Sequence, residues 1–219
     1  MRSILAIFRK ELALELRTRV AVHAILAFTG SSLLLILLTL RADQLEADAR
    51  SGLVWIIILF AAMAGMARSF VAETEQKTWH LLRLHGRAGD IFLGKLLYNI
   101  LFLLGILTAT FLLYLLMMNQ PVHHPGYLSI TLLLGATGLA SVTTLTSAMI
   151  ARADRRGAIF SVLSIPLLVP LLLILTRVTR IALTGDSDPE WFNDLSALVG
   201  YGGATIAAGI LLFDFIWDE

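Results

Sequence analysis

The residues that could do chemistry are few, and they do not converge. The 219-residue chain contains no cysteine, which removes thiol nucleophiles, disulfides, thiolate metal sites and iron–sulfur clusters together. His123 and His124 are adjacent. Neighbouring side chains project apart on most backbones, so the pair reads as loop histidines before it reads as a metal or haem site. His80 and His85 have no Cys, His or carboxylate constellation around them at ligand spacing. Gly89-Asp-Ile-Phe-Leu-Gly94-Lys95 satisfies the phosphate-loop pattern, but Leu96 stands where Ser or Thr would hold magnesium, and no buried strand precedes it. ATP is therefore not expected on this chain. Asp186-Ser-Asp188-Pro-Glu190 is the one acidic cluster that a metal-dependent lipid or isoprenoid transferase would need. No nucleophile–base–orienter set is present, and the expectation is a protein without an active site of its own.

One polar segment is informative. The stretch 68–95 carries Arg68, Phe70, Glu73, Glu75, Lys77, Trp79 and Arg83, then breaks at Gly86-Arg87-Ala-Gly89. Its first part can form a helix with Phe70, Glu73, Lys77 and Leu81 along one edge and Trp79 and Leu82 along another. The plain reading is a solvated helix with an interfacial tryptophan. The functional reading is a docking element for a partner, with Glu73 and Glu75 as charge handles.

The elements that must position this segment are set by composition. The chain is 58% hydrophobic and 15% charged, with a net charge of +1 and a mean hydropathy of +0.82. Soluble domains are about 45–50% apolar and about 25% charged, so soluble, disordered and nucleic-acid-binding classes are excluded. A spanning helix needs about 20 mostly apolar residues. Runs of that kind occur at about 20–40, 52–71, 96–122, 126–151, 157–176 and 195–213. Six spans put both termini on one side. Thirteen of the seventeen Lys and Arg fall in segments on that side, so the positive-inside rule makes the termini and the 72–95 loop cytoplasmic. Trp55, Tyr114, Tyr127 and Trp191 are expected at the outer boundary, and Trp79, Tyr98 and Trp217 at the inner one.

Residues 1–19 carry Arg9, Lys10, Glu11, Glu15, Arg17 and Arg19 where a cleavable leader needs an apolar core. They read as an interfacial amphipathic helix with an Ile4-Phe8-Leu12-Leu16 stripe, Glu11 and Glu15 at its edge, and a Glu15–Arg19 pair at i,i+4. The spans hold almost no ionisable residues. His23, near the start of the first, reads as a boundary histidine, with proton relay as the sharper alternative. No mid-membrane carboxylate is available for an ion-coupled carrier. Gly135, Gly138 and Ser141 in the fourth span are suited to close helix packing or, as the alternative, to a polar substrate path. Pro166 and Pro170 share one face of the fifth span and bend it, as hinge or as packing feature. Met63, Met66, Met117 and Met118 read as packing residues.

Taken in order, these segments resemble the haem exporter protein B (CcmB) family. The resemblance is carried by the six-span layout, the charged amino-terminal helix and the Arg68-x-Phe70-x-x-Glu73-x-Glu75 stretch ending at Gly94-Lys95. It is carried further by Leu134-Gly135-Ala-Thr-Gly138-Leu139-Ala140, by Ala151-Arg-Ala-Asp-Arg155-Arg156-Gly157, and by Ile165-Pro166-Leu-Leu-Val-Pro170. Gln76, Lys77 and His85-Gly86 depart from the Gly and Pro that often flank the leucines of this loop. The resemblance implies an all-α fold like that of type-2 ABC exporter permeases, in a bacterial inner membrane. It also implies a partner ATPase (CcmA-like) that binds ATP, a haem-handling membrane protein (CcmC-like), a small accessory subunit (CcmD-like), and two permease copies. Haem would be the cargo, or would leave on a chaperone (CcmE-like). The alternatives are a type-2 permease for lipid, polysaccharide or drug, and a non-transporting membrane scaffold.

Overall fold

In the computed structural model, residues 2–39, 45–66, 87–150, 156–186 and 190–218 are described. They form seven helices: α1 (Arg2–Thr18), α2 (Val20–Thr39), α3 (Ala47–Met66), α4 (Ala88–Met118), α5 (Pro125–Ile150), α6 (Arg156–Thr184) and α7 (Trp191–Asp218). The last six are long and apolar enough to cross a membrane. No strand occurs among the described residues. A bilayer offers backbone groups no water, so helices that satisfy their own N–H and C=O groups are the expected solution.

The helices run past the uncharged stretches. α4 begins at Ala88 and holds Lys95 inside it, α3 begins at Ala47 and includes Arg50, and α6 continues to Thr184 through Arg177 and Arg180. Each of these cations has a partner. Lys95 pairs with Glu11, Arg180 with Asp48 and Asp186, and Arg177 with Glu190 and Asp194, while Arg50 donates to Gln120. A paired cation is tolerated in a helix end that charge counting assigns to a loop.

α5 is the hub. It packs against α3, α4, α6 and α7, and 17 of its 26 residues are buried. α2 and α7 are peripheral, with Leu35, Leu38, Leu211 and Phe215 exposed, as lipid-facing positions are. One end of the bundle gathers α1, the start of α4 and the last third of α7, where Phe92 meets Phe213 with ring centroids 5.6 Å apart. The opposite end is closed by backbone contacts. Asn119 (φ +46°) terminates α4. The N–H groups of His123 and His124 both donate to Ala182 O, at 3.2 and 3.0 Å, and the His123 ring nitrogen Nδ1 lies 2.5 Å from Leu183 O. Carbonyls that a helix C-terminus leaves open are thereby satisfied from another loop. Gly185 follows at φ +76°, and a Cβ there would come within 2.9 Å of His123 Cβ.

Two boundary aromatics are placed differently from expectation. Trp55 and Tyr114 are buried among the helices, where belt aromatics face outward. Trp55 Nε1 donates to Thr179 Oγ1 at 2.8 Å and its ring meets Phe111 edge-on at 5.6 Å. A buried indole is stable when its N–H finds an acceptor, and Thr179 supplies one. Tyr127 and Trp191 remain half-exposed and stack on each other at 5.1 Å.

Candidate functional site

α1 is built into the bundle rather than only lying beside it. Its inward face is Ile4, Ile7, Phe8, Glu11, Leu12 and Glu15, at regular helical spacing, while Leu5, Leu14 and Leu16 are exposed. The two glutamates therefore sit on the packed face, and Leu16 does not. The reason is two polar partners on neighbouring helices. Glu11 Oε1 accepts from Lys95 Nζ at 2.7 Å, and Lys95 is 1% exposed. Glu15 Oε1 accepts from Val22 N–H at 3.3 Å, in the first turn of α2. A carboxylate at a helix N-terminus meets both an unbonded N–H and the positive end of the dipole. Arg19, for its part, donates from Nε to Leu16 O. Gly94 completes the contact: a Cβ on it would fall 2.8 Å from Ile7 Cβ and 3.0 Å from Ile4 O. The Gly89–Lys95 pattern is thus a helical turn that receives α1, and not a phosphate loop.

α5 joins three neighbours through hydroxyls. Thr144 Oγ1 accepts from Asn99 Nδ2 of α4 at 2.7 Å, Thr146 meets Ser164 of α6 at 2.8 Å, and Ser141 meets Thr205 of α7 at 2.6 Å. Gly135 and Gly138 provide the close approach on the same helix. A Cβ at Gly135 would lie 2.7 Å from Trp55 Cη2, and one at Gly138 would lie 2.8 Å from both terminal methyls of Leu171. Ser141 also bonds to Gly138 O at 2.9 Å. These hydroxyls are spent on protein partners, so their geometry is that of helix packing. Interhelical hydrogen bonds of this kind are worth about 0.6 kcal/mol on average and about 1.7 at most in membrane proteins. Replacing Ser164 by Ala is accordingly expected to cost about 1 kcal/mol or less. Thermal unfolding in detergent would check this, and a loss several times larger would assign Ser164 more than a packing role.

Pro166 and Pro170 lie on the exposed side of α6, which remains one helix from Arg156 to Thr184. Each lacks an N–H, so the carbonyls of Val162 and Pro166 lose their usual donor. The Tyr201 hydroxyl of α7 donates to Leu167 O, between the prolines.

The docking residues Arg68, Phe70, Glu73, Glu75, Lys77, Trp79 and Arg83 lie outside the described residues. Of the remaining candidates, the structure brings Gly135, Gly138 and Ser141 onto the hub and sets Pro166 and Pro170 at the periphery. Asn99 and Thr179 are polar participants that sequence reading does not single out, and Lys95 and Glu11 are named there without their pairing. For Lys95 a signal exists: it is a cation flanked by Ile91-Phe92-Leu93 and Leu96-Leu97.

No curated protein matches the chain. The family model described as CcmB protein matches residues 2–210, which takes in α1 and all but the last residues of α7. Six long apolar helices and this match make it a multi-pass membrane protein. The chain belongs to the CcmB family, a membrane component of the ABC transporter system of haem transport and cytochrome c maturation, which works together with the other Ccm components.

Proposed function

We propose that the chain is the permease subunit of that transporter, without an ATPase site, driven by a partner ATPase bound on the face that carries both termini. The observation that carries this reading is the family match across the whole bundle, residues 2–210. The cationic asymmetry of the loops supports placing that face in the cytoplasm of a bacterial inner membrane. Two copies would assemble with a CcmA-like ATPase, a CcmC-like haem-handling protein and a CcmD-like subunit. Haem is the cargo, or leaves on a CcmE-like chaperone.

The mechanism follows the connections. Residues 68–83 dock on the ATPase, and nucleotide closure moves them. α4 begins just after this segment, and its Lys95 is tied to Glu11 of α1. α1 in turn caps α2 through Glu15. A displacement at the docking segment therefore reaches α4, α1 and α2 together. Asn99 and Thr144 hand it to α5, whose small-residue contacts at Gly135 and Gly138 allow neighbouring helices to slide.

The test is affinity purification in mild detergent, with partners identified, haem absorbance recorded and ATP turnover measured. Co-purification of an ATPase whose haem-release activity depends on this chain is the expected result. Glu73→Lys with Glu75→Lys should uncouple ATP turnover from release while leaving membrane insertion normal. Normal ATP-dependent cytochrome c maturation in that double variant would overturn the docking assignment. An ATPase indifferent to the presence of this chain would favour a passive scaffold.

A further inference from the structure

Folding changes the charge that α1 presents to its surroundings. In the chain, Glu11 and Glu15 stand among Arg9, Lys10, Arg17 and Arg19. In the fold both acids turn inward, Glu11 to Lys95 Nζ at 2.7 Å and Glu15 to the Val22 N–H at 3.3 Å. All four of those cations stay exposed. Lys10 reaches Glu11 at 3.5 Å. Arg9 and Arg17 have no acidic partner among the described residues. A helix of mixed charge in the sequence thus shows a cationic surface in the structure.

The apolar residues left outside lie beside these cations. Leu5, Leu12 and Leu16 fall at i, i+7 and i+11, one line along an α-helix, with Arg9 on its border and Arg17 and Lys10 on the adjoining flank. Leu5 and Leu16 are exposed and Leu12 is half-buried. The height of this line is set by the junction with α2. Arg19 lies between the two helices in the left-handed region, at φ +52°, so α1 is not a continuation of α2. The next residues begin a span, which puts Leu16 and Arg17 where hydrocarbon meets headgroups. An exposed apolar line edged by cations fits a negatively charged bilayer surface: leucines enter the acyl boundary while guanidinium groups meet phosphate. An acidic protein surface would answer the cations only.

We infer that the unpacked side of α1 is a binding surface for anionic phospholipid headgroups, held by Arg9, Lys10 and Arg17 with Leu5 and Leu16 in the acyl boundary. A zwitterionic lipid is the poorer fit, because α1 exposes no acid to its ammonium group. The binding step does not rest on coupling to an ATPase.

The experiment uses the full chain in nanodiscs of phosphatidylcholine, with or without phosphatidylglycerol, and reads amide hydrogen exchange over residues 2–18. Each cation near an anionic surface is expected to add about fivefold to the equilibrium that holds α1 in place. Exchange in the wild type should therefore slow by about tenfold or more when phosphatidylglycerol is present, and high salt should shrink the difference. Arg9→Gln with Arg17→Gln should remove most of the slowing. Arg9→Lys with Arg17→Lys should keep it, because the attraction depends on charge; a packing role for the guanidinium groups would not be rescued this way. Both side chains are exposed, and unchanged exchange across α5 checks that the variants fold. Equal exchange in the two lipids would overturn the surface, as would an undiminished lipid effect in the Gln variant. Protection of α1 by an added ATPase partner in phosphatidylcholine, with no response to phosphatidylglycerol, would also overturn it and assign the cations to a protein.

Discussion

Removing the Glu11 carboxylate is expected to be among the most damaging single changes in this chain. Lys95 is 1% exposed and donates from Nζ to Glu11 Oε1 at 2.7 Å. Forming a buried pair is close to neutral overall, because desolvation offsets the Coulomb attraction. Deleting one partner of a buried pair costs up to about 3–5 kcal/mol, the full amount only where nothing else compensates the charge left behind, and Lys95 has a further contact besides Glu11. Glu11→Ala should therefore lower stability by a part of that amount, up to about 3–5 kcal/mol, and loosen α1 from α4, since Gly94 packs on Ile7 beside the same contact. Glu11→Gln, which keeps an acceptor, should fall between the two. Combining Glu11→Leu with Lys95→Met removes both charges at similar volume and should recover most of the loss. Thermal unfolding in detergent and limited proteolysis near residue 19 would read these differences. Wild-type behaviour of Glu11→Ala would show that Lys95 does not rely on α1.

The second large effect concerns Gly135. A Cβ there would lie 2.7 Å from Trp55 Cη2 and 3.2 Å from Leu175 Cδ2. Trp55 cannot yield easily: its indole is bonded to Thr179 and wedged against Phe111. Overpacking a close contact costs about 1–3 kcal/mol and occasionally more, so Gly135→Ala should destabilise by that range and Gly135→Val by more. Gly138→Ala should be milder, because the atoms it meets are the terminal methyls of Leu171, the far end of a flexible side chain. Gly203 is the control. Nothing lies within 4 Å of its Cβ position, and Ala is favoured over Gly in a helix by about 0.8–1.0 kcal/mol, so Gly203→Ala should be neutral or stabilising. A series in which all three substitutions behave alike would mean that backbone propensity, and not the α3–α5 and α5–α6 approach, decides these positions.

Much of the fold was legible because hydrophobicity along the chain is a local property. Six apolar runs became six long helices. The errors sit at their ends. Counting only the run closes a span at the first charge, yet Lys95, Arg177 and Arg180 lie inside helices because acids on other segments meet them. Trp55 follows Arg50 by five residues and so reads as a boundary aromatic. It is buried because Gly135, eighty residues away, leaves room for its ring and Thr179 takes its N–H. Nothing near Trp55 in the chain announces either partner.

The site divides in the same way. Gly135, Gly138 and Ser141 stand out by composition, because small and hydroxylated residues in an apolar run suit close packing. Which neighbours they receive is visible only in the folded bundle. Glu11 and Glu15 were visible as blemishes on an amphipathic stripe. Their inward turn follows from Lys95 and the free N–H groups of α2, and a buried carboxylate is stable only where such donors wait.

By itself, then, the sequence determined the all-helical class, the six spans and the family resemblance, each a matter of local composition or of ordered motifs. Tertiary structure alone decided which charges are buried and paired, which face of α1 is inside, and which neighbours Gly135 and Gly138 receive. The reason is that burial of a polar group is a property of two or more segments at once. Its free energy turns from a large cost to near balance only when the partner is in place.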